Sequence, residues 1–300
     1  MNQLRIAAWS MLVLSFASIF QIGCASDRSI LSKAKTVRYS VALPPSVTRY
    51  SAVFVRGDLR CYAAEYVTDS ATDEGRSIIQ VVDINGQRQS SLRLAEGFFV
   101  NCFCVDLEDS IYALGSLQNG EQSITKFDKN GKLAWRSSLR CDLISQIKLA
   151  ARIGSEDRIS VGPAELPGTF QIVWKDDASE PSFGFVSFSA QTGKILDCGS
   201  SIPLSGGARL LNKDGELQIL HTDTVQSPAQ VSFVDWLITS YMNQPCIVGK
   251  STGDSILLLH YDGTKFANRG TLTPQGNSLP RGSGSYFYSY DPQTLVLSIW

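Results

Sequence analysis

Histidine is almost missing from this chain: His221 and His260 are the only two in 300 residues. No Ser-His-Asp spacing can be built from them, and no histidine cluster offers itself to a metal. The His-Glu-x-x-His zinc motif, the phosphate loop, the dinucleotide glycine fingerprint and the Gly-x-Ser-x-Gly elbow are all absent. An excess of charge is lacking as well. The formal net charge is −1, so the chain carries no electrostatic footprint for DNA or RNA. After residue 24 no apolar run approaches the roughly 20 residues that span a bilayer. These absences exclude a nucleic-acid partner and leave no motif for catalysis, metal or cofactor, so none of the three is expected.

What is present begins at the N-terminus. Arg5 precedes an uncharged run, Ala7–Phe20, followed by Gln21-Ile22-Gly23-Cys24. A basic start, a short apolar stretch and a small-residue cleavage site make a secretory signal. The Gly23-Cys24 pair resembles the bacterial lipobox, although Gln21 stands where that motif usually has Leu. The resemblance implies cleavage before Cys24 and a diacylglycerol on its thiol. The alternative is an ordinary signal peptide cut after Ser26. On the lipobox reading, residues 1–23 are the signal, 24–35 a tether and 36–300 one folded domain. The protein is then exported and lipid-anchored to the cell envelope. Ala25 favours the outer membrane if the host is Gram-negative.

Six further cysteines remain: Cys61, Cys102, Cys104, Cys141, Cys198 and Cys246. An even number in an exported chain permits disulfides, and sequence alone leaves their pairing open. Cys102 and Cys104 share one face of a strand and cannot easily bridge each other.

The body of the chain repeats. Ser77–Gly86 (SIIQVVDING) and Ser123–Gly131 (SITKFDKNG) both run alternating strands into Asp-x-Asn-Gly, a hairpin signal. Fainter copies are Gly184–Lys194, Ser255–Lys265 and Ser285–Thr294. A second hairpin type alternates with the first, with turns at Asp58, Asp109, Asp157 and Asp214 and another near 243. Two such hairpins make a four-stranded antiparallel blade. From Gly86 to Gly131 is 45 residues, the length of one propeller repeat. The next outer turns come at 193 and 263. Two inner-type turns inside the longer gap indicate a degenerate blade. Residues 36–300 therefore predict an all-β propeller of six blades, the strand Thr36–Leu43 completing the last one and closing the ring. The only segments that compete as short helices are Cys141–Ala151 and Phe233–Tyr241.

Val105–Trp135, VDLEDSIYALGSLQNGEQSITKFDKNGKLAW, resembles one blade of the NHL-type six-bladed propellers. It is also similar to quinoprotein-like repeats at Asp128, Gly131, Lys132 and Trp135. The match is partial over Val55–Leu94. Such propellers include enzymes, binding modules and scaffolds, so the resemblance implies a fold and no chemistry.

Candidate functional residues are few. The recurring Asp58, Asp109, Asp157 and Asp214 read as turn residues whose carboxylates bond nearby backbone N–H groups. Asp106, Glu108 and Asp109 read as an acidic turn. Tyr286, Tyr288 and Tyr290 share one strand face and offer a stacking surface for a sugar or a protein. Pro163–Pro181, with Trp174, reads as the longest irregular stretch and a candidate recognition loop. Trp135 is expected to pack between blades. The functional expectation is an envelope-anchored, non-enzymatic binding or scaffolding propeller whose partner is an envelope protein or glycan. The competing expectation is a polysaccharide lyase or hydrolase with its site at the mouth of the propeller channel.

Overall fold

A computed structural model of the chain describes residues 36–46, 50–68, 75–95, 97–138, 159–163, 168–176, 182–213, 216–221, 224–226, 233–242, 244–253, 255–273 and 279–300. Six four-stranded antiparallel sheets account for every strand in them. The first strand, β1 (Tyr39–Ala42), belongs to the last sheet. Blade one is β2 (Tyr50–Val55), β3 (Cys61–Thr68), β4 (Gly75–Val82) and β5 (Arg88–Arg93). Blade two is β6 (Phe99–Val105), β7 (Ile111–Ser116), β8 (Gln122–Phe127) and β9 (Leu133–Ser138). Blade three is β10 (Ile159–Pro163), β11 (Thr169–Asp176), β12 (Ser182–Ser189) and β13 (Ile195–Gly199). Blade four is β14 (Ile202–Pro203), β15 (Arg209–Lys213), β16 (Glu216–His221) and β17 (Thr224–Gln226). Blade five is β18 (Phe233–Tyr241), β19 (Gln244–Ser251), β20 (Ile256–Tyr261) and β21 (Phe266–Leu272). Blade six is β22 (Arg281–Ser283), β23 (Tyr286–Asp291) and β24 (Val296–Ile299). β1 then adds to β24 as its fourth strand, Tyr39 opposite Ile299 and Ala42 opposite Val296. The chain is thus an all-β, six-bladed propeller whose two ends share a blade.

The strands form where apolar residues alternate or run continuously, and the core lies between blades. One cluster joins blades one, two, three and six, and includes Phe54, Phe103, Tyr112, Phe170 and Tyr288. A second joins blades three, four and five through Phe185, Leu210 and Trp236. A third joins blades five and six through Tyr241, Phe287 and Trp300. Trp135 packs across a blade boundary as expected. Its indole N–H donates to the Ala190 carbonyl at 3.1 Å, and its ring meets Phe188 edge-on.

The Asp-x-Asn-Gly turns prove longer than two-residue hairpins. Asp83 Oδ1 accepts from the backbone N–H groups of Asn85 and Gln87, and Asp128 Oδ1 from those of Asn130 and Lys132. Gly86 and Gly131 then take φ of 79° and 77°. This is a type I turn with a following left-handed glycine and a bulge. The aspartate organises the turn, and the glycine supplies the positive φ.

Three sequence expectations need correction. Phe233–Tyr241 is a strand, with Trp236 and Ile238 packed in the core on one side and Leu237 on the other. Within Pro163–Pro181, residues Thr169–Asp176 form a strand of blade three, because Phe170, Ile172 and Trp174 alternate inward. Flanking proline and glycine hide that pattern in the sequence. The turn near 292 joins the second and third strands of blade six, because the fourth strand comes from the N-terminus. Cys141–Ala151 lies outside the described residues. The degenerate blade is blade four, whose inner strand is two residues long. Its shortness lets β10 and β11 of blade three pack directly on β18 of blade five. There Lys175 Nζ donates to Asp235 at 2.7 Å and sits 5.0 Å over the Trp236 ring.

Gly282 marks where blades five and six approach most closely. A Cβ there would lie 2.3 Å from the backbone oxygen of Ser240. The Thr239 hydroxyl also bonds the Gly282 backbone N–H at 2.8 Å and its carbonyl at 3.3 Å. Gly282→Ala is expected to cost about 1–3 kcal/mol by overpacking. Urea unfolding checks this; unchanged stability would mean that the two inner strands are free to part.

Candidate binding site at the channel mouth

The inner hairpin turns of the blades gather at one mouth of the central channel. In blade one the turn is Arg56-Gly57-Asp58-Leu59-Arg60, and in blade two Asp106-Leu107-Glu108-Asp109-Ser110. Both have the same backbone, closed by Arg56 N–H to Arg60 O and Asp106 N–H to Ser110 O. Leu59 and Asp109 occupy the left-handed position at φ 67° and 62°. The aspartates within them differ in role. Asp106 organises its own turn: it accepts from the Glu108 and Ser110 backbone N–H groups at 2.9 and 2.8 Å and from the Tyr112 hydroxyl at 3.2 Å. Asp58 and Asp109 instead converge on Arg56, with the exposed Arg60 3.5 Å from each. Arg56, only 6% exposed, gives Asp58 a two-pronged contact at 2.9 and 2.7 Å. Its other nitrogen bonds Asp109 at 2.5 Å and the Asp106 carbonyl at 3.0 Å. The Tyr62 hydroxyl also donates to Asp109, at 3.1 Å. So Asp58 keeps the expected turn-cap bond, from the Arg60 backbone N–H at 3.3 Å, and with Asp109 also forms a latch between blades one and two. Asp157 and Asp214 lie outside the described residues.

The electrostatics follow from this latch. The Arg56 guanidinium, hydrogen-bonded to Asp58, holds that carboxyl below the usual carboxylate range, and Asp58 raises Arg56 in return. Burial pushes the Tyr62 phenol up to about 12. Cys104 is fully enclosed, and desolvation drives its thiol well above the ordinary value, so it stays protonated.

Inside these turns lies a cavity of about 390 Å³. Phe54, Val105, Val161 and Phe170 form apolar walls, and Arg56 and Cys104 stand at its side. Ser160, Ser240 and Ser283 bring hydroxyls from blades three, five and six. Among the described residues blade four contributes nothing to this lining, and its inner strand is only two residues long. Leu107 stands at the lip with 87% of its surface exposed, and Met242 on the blade-five inner turn is also exposed. Among the described residues no group of three or more His, Cys, Asp or Glu is arranged to hold a metal.

The residues singled out in the sequence sit elsewhere. Trp174 is 1% exposed in blade three, its ring over Gly184. Tyr288 and Tyr290 are buried where blade six meets blade one, edge-on to Phe54 and Tyr50 at 6.2 and 6.3 Å. Tyr286 is half-buried. His221 and His260 lie on blades four and five, away from the cavity. Burial lowers the His260 pKa, with Arg269 adding to the effect. Among the described residues no disulfide joins any two of Cys61, Cys102, Cys104, Cys198 and Cys246. Cys24 and Cys141 fall outside the described residues. Sequence reading missed the cavity serines, which belong to no motif. The inner strands that carry them become neighbours only when the ring closes.

No family model matches the chain, and no curated protein does. Solved structures similar to it include BamB from Moraxella catarrhalis, at 9% identity and a TM-score of 0.38, over 86% of this chain and 85% of that one. Another is the β-propeller domain of the Trilobed protease from Pyrococcus furiosus, at 12% identity and TM-score 0.45, over 88% and 83%. A third is an uncharacterized protein from Listeria monocytogenes EGD-e, at 12% identity and TM-score 0.44, over 88% and 86%. The propeller assignment rests on the six four-stranded sheets and their closure, independently of these likenesses.

Proposed function

We propose that this chain is an exported propeller, acylated at Cys24 and held at the bacterial cell envelope, which binds a ligand at its inner-turn mouth and does not transform it. One observation carries the binding reading. The mouth is a recess with apolar walls whose surrounding charges, Arg56, Asp58, Asp106 and Asp109, are already engaged with one another or with their own turns. Such a recess supplies shape, apolar surface and hydrogen bonds, the attributes of a binding pocket. The anchor reading rests on the Ala7–Phe20 run and the Gly23-Cys24 pair.

Two substitutions in the full-length protein separate the claims. Cys24→Ala is expected to abolish lipid labelling and move the domain to the soluble fraction; an unchanged membrane-bound pool overturns the anchor. Leu107→Asp replaces a side chain that packs on nothing, so the fold is expected to survive. Material recovered with the wild type from detergent-solubilised membranes is then expected to be lost. Equal recovery with both proteins overturns the mouth as the recognition site.

A further inference from the structure

Three serines line the cavity from three different blades: Ser160 on β10, Ser240 on β18 and Ser283 on β22. None of their hydroxyls is committed to a hydrogen bond within the described residues. The Arg56, Asp58, Asp106 and Asp109 side chains beside them are engaged, so these hydroxyls remain for water or a ligand. Each hydroxyl can donate one hydrogen bond and accept two. They stand among apolar walls, Phe54, Val105, Val161 and Phe170. The recess is kept open by residues without side chains. Gly57 and Gly284 approach each other across the rim, with a Cβ on Gly284 only 3.1 Å from the Gly57 Cα. Gly162 has the Ser240 Cβ 4.0 Å away as its nearest neighbour.

The charge of the site is equally specific. Its guanidinium, Arg56, is matched by Asp58 and Asp109, and Cys104 is a neutral thiol. An anion entering the cavity would compete with two carboxylates already in place. A cation would meet apolar walls and hydroxyls and lose its water, with only the Asp106 carboxylate, already holding two backbone N–H groups and the Tyr112 hydroxyl, to replace it. A volume of about 390 Å³ falls at the small end of ligand pockets, which run from about 300 to 1,000 Å³.

We propose that the mouth binds a neutral, ring-sized apolar group bearing a hydroxyl, the ring held by Phe54, Val105, Val161 and Phe170 and the hydroxyl by Ser160, Ser240 and Ser283. This rests on the mouth being the recognition site, and it adds the chemical class of what is recognised there. The ligand enters past Leu107, gives up its ring hydration to the apolar walls and exchanges its hydroxyl's water for serine. The hydroxyls act through convergence. One alone would offer little selectivity, whereas three around one small volume reject a group of the same shape without oxygen, because they would be left without partners.

The test measures probe affinity by saturation-transfer NMR on the full-length protein in detergent, with benzyl alcohol, toluene, benzoate and benzylamine as a shape-matched set. Benzyl alcohol is expected to bind about tenfold more tightly than toluene, the equivalent of one well-made hydrogen bond. Benzoate and benzylamine are expected to bind more weakly than toluene. Ser160→Ala, Ser240→Ala and Ser283→Ala combined are expected to bring benzyl alcohol down to the toluene level while leaving toluene unchanged. Gly162→Leu adds a side chain at a lining position where a Cβ meets nothing nearer than the Ser240 Cβ at 4.0 Å, and is expected to abolish binding of every probe. Equal affinities for benzyl alcohol and toluene, both lost in Gly162→Leu, would overturn the ligand class while the mouth stands. Binding that survives Gly162→Leu, or no binding by any probe, would overturn the mouth as well.

Discussion

A chain that begins at Pro45 is expected to unfold at a much lower temperature than one that begins at Ala25. The difference is β1, the outer strand of blade six. Val41 and Leu43 are 1% and 4% exposed, and burying two such side chains contributes roughly 3–6 kcal/mol. The strand also supplies the ladder to β24, extended by Arg38 N–H to Ile299 O at 2.8 Å and Leu43 N–H to Leu295 O at 2.9 Å. A whole domain is stable by only about 5–15 kcal/mol, so the truncated chain sits close to unfolding. Its unpaired β24 edge also invites association with other chains. The expected result is a fall in Tm of roughly 10 °C or more, and soluble aggregates by light scattering. A peptide spanning residues 36–43 is expected to restore part of the loss by adding to the free edge. An unchanged Tm would mean that closure does not stabilise the ring.

The latch at Arg56 is expected to show an asymmetry. Asp58→Ala combined with Asp109→Asn leaves a buried guanidinium without an ionised partner, which costs about 3–5 kcal/mol. Arg56→Met removes the cation and leaves two carboxylates that are about 40% exposed and keep much of their water. That change is expected to cost only about 2 kcal/mol. Chemical unfolding of the three proteins at neutral pH decides the order. A larger loss for Arg56→Met would show that the two carboxylates, and not the guanidinium, are the groups that cannot be left unpaired.

The same contact predicts how acid acts. Asp58 has a folded pKa below its unfolded value of about 3.9. Its contribution is therefore fully present above about pH 4 and is lost as pH falls through the depressed folded pKa. Asp262 behaves alike: the Lys265 backbone N–H, with help from Thr264, holds it down to about 2. Wild-type stability is expected to decline between about pH 4 and 2, and the decline is expected to be shallower in Arg56→Met, where the pull on Asp58 is gone.

Much of the architecture was legible because turn chemistry is local. Asp83-x-Asn85-Gly86 and Asp128-x-Asn130-Gly131 carry their own hydrogen-bond partners and their own positive-φ glycine, so their spacing gave the blade length. The closure by Thr36–Leu43 was legible too, since blade six lacked a strand and one apolar-alternating segment remained. Legibility failed where the pattern of one strand was interrupted. Prolines and glycines around Phe170, Ile172 and Trp174 concealed β11, and a two-residue inner strand blurred blade four. The tyrosines of β23 were visible as a stripe, but alternation gives a face without saying which neighbour covers it. The answer, Phe54 and Tyr50, is more than 200 residues away in the chain.

By itself, then, the amino-acid order determined an all-β repeat of six blades and an N-terminal segment bearing the marks of an export and lipidation signal. Both are written in short-range patterns: period-two alternation, Asp-x-Asn-Gly turns, and an apolar run ending at Gly23-Cys24. Only the tertiary structure decided which residues line the recess at the channel mouth. Ser160, Ser240 and Ser283 sit on three separate inner strands, and nothing in the residues around any one of them points to the others. Closing the ring brings all three to one recess, and the latch with Asp58 and Asp109 matches the charge of Arg56 beside it.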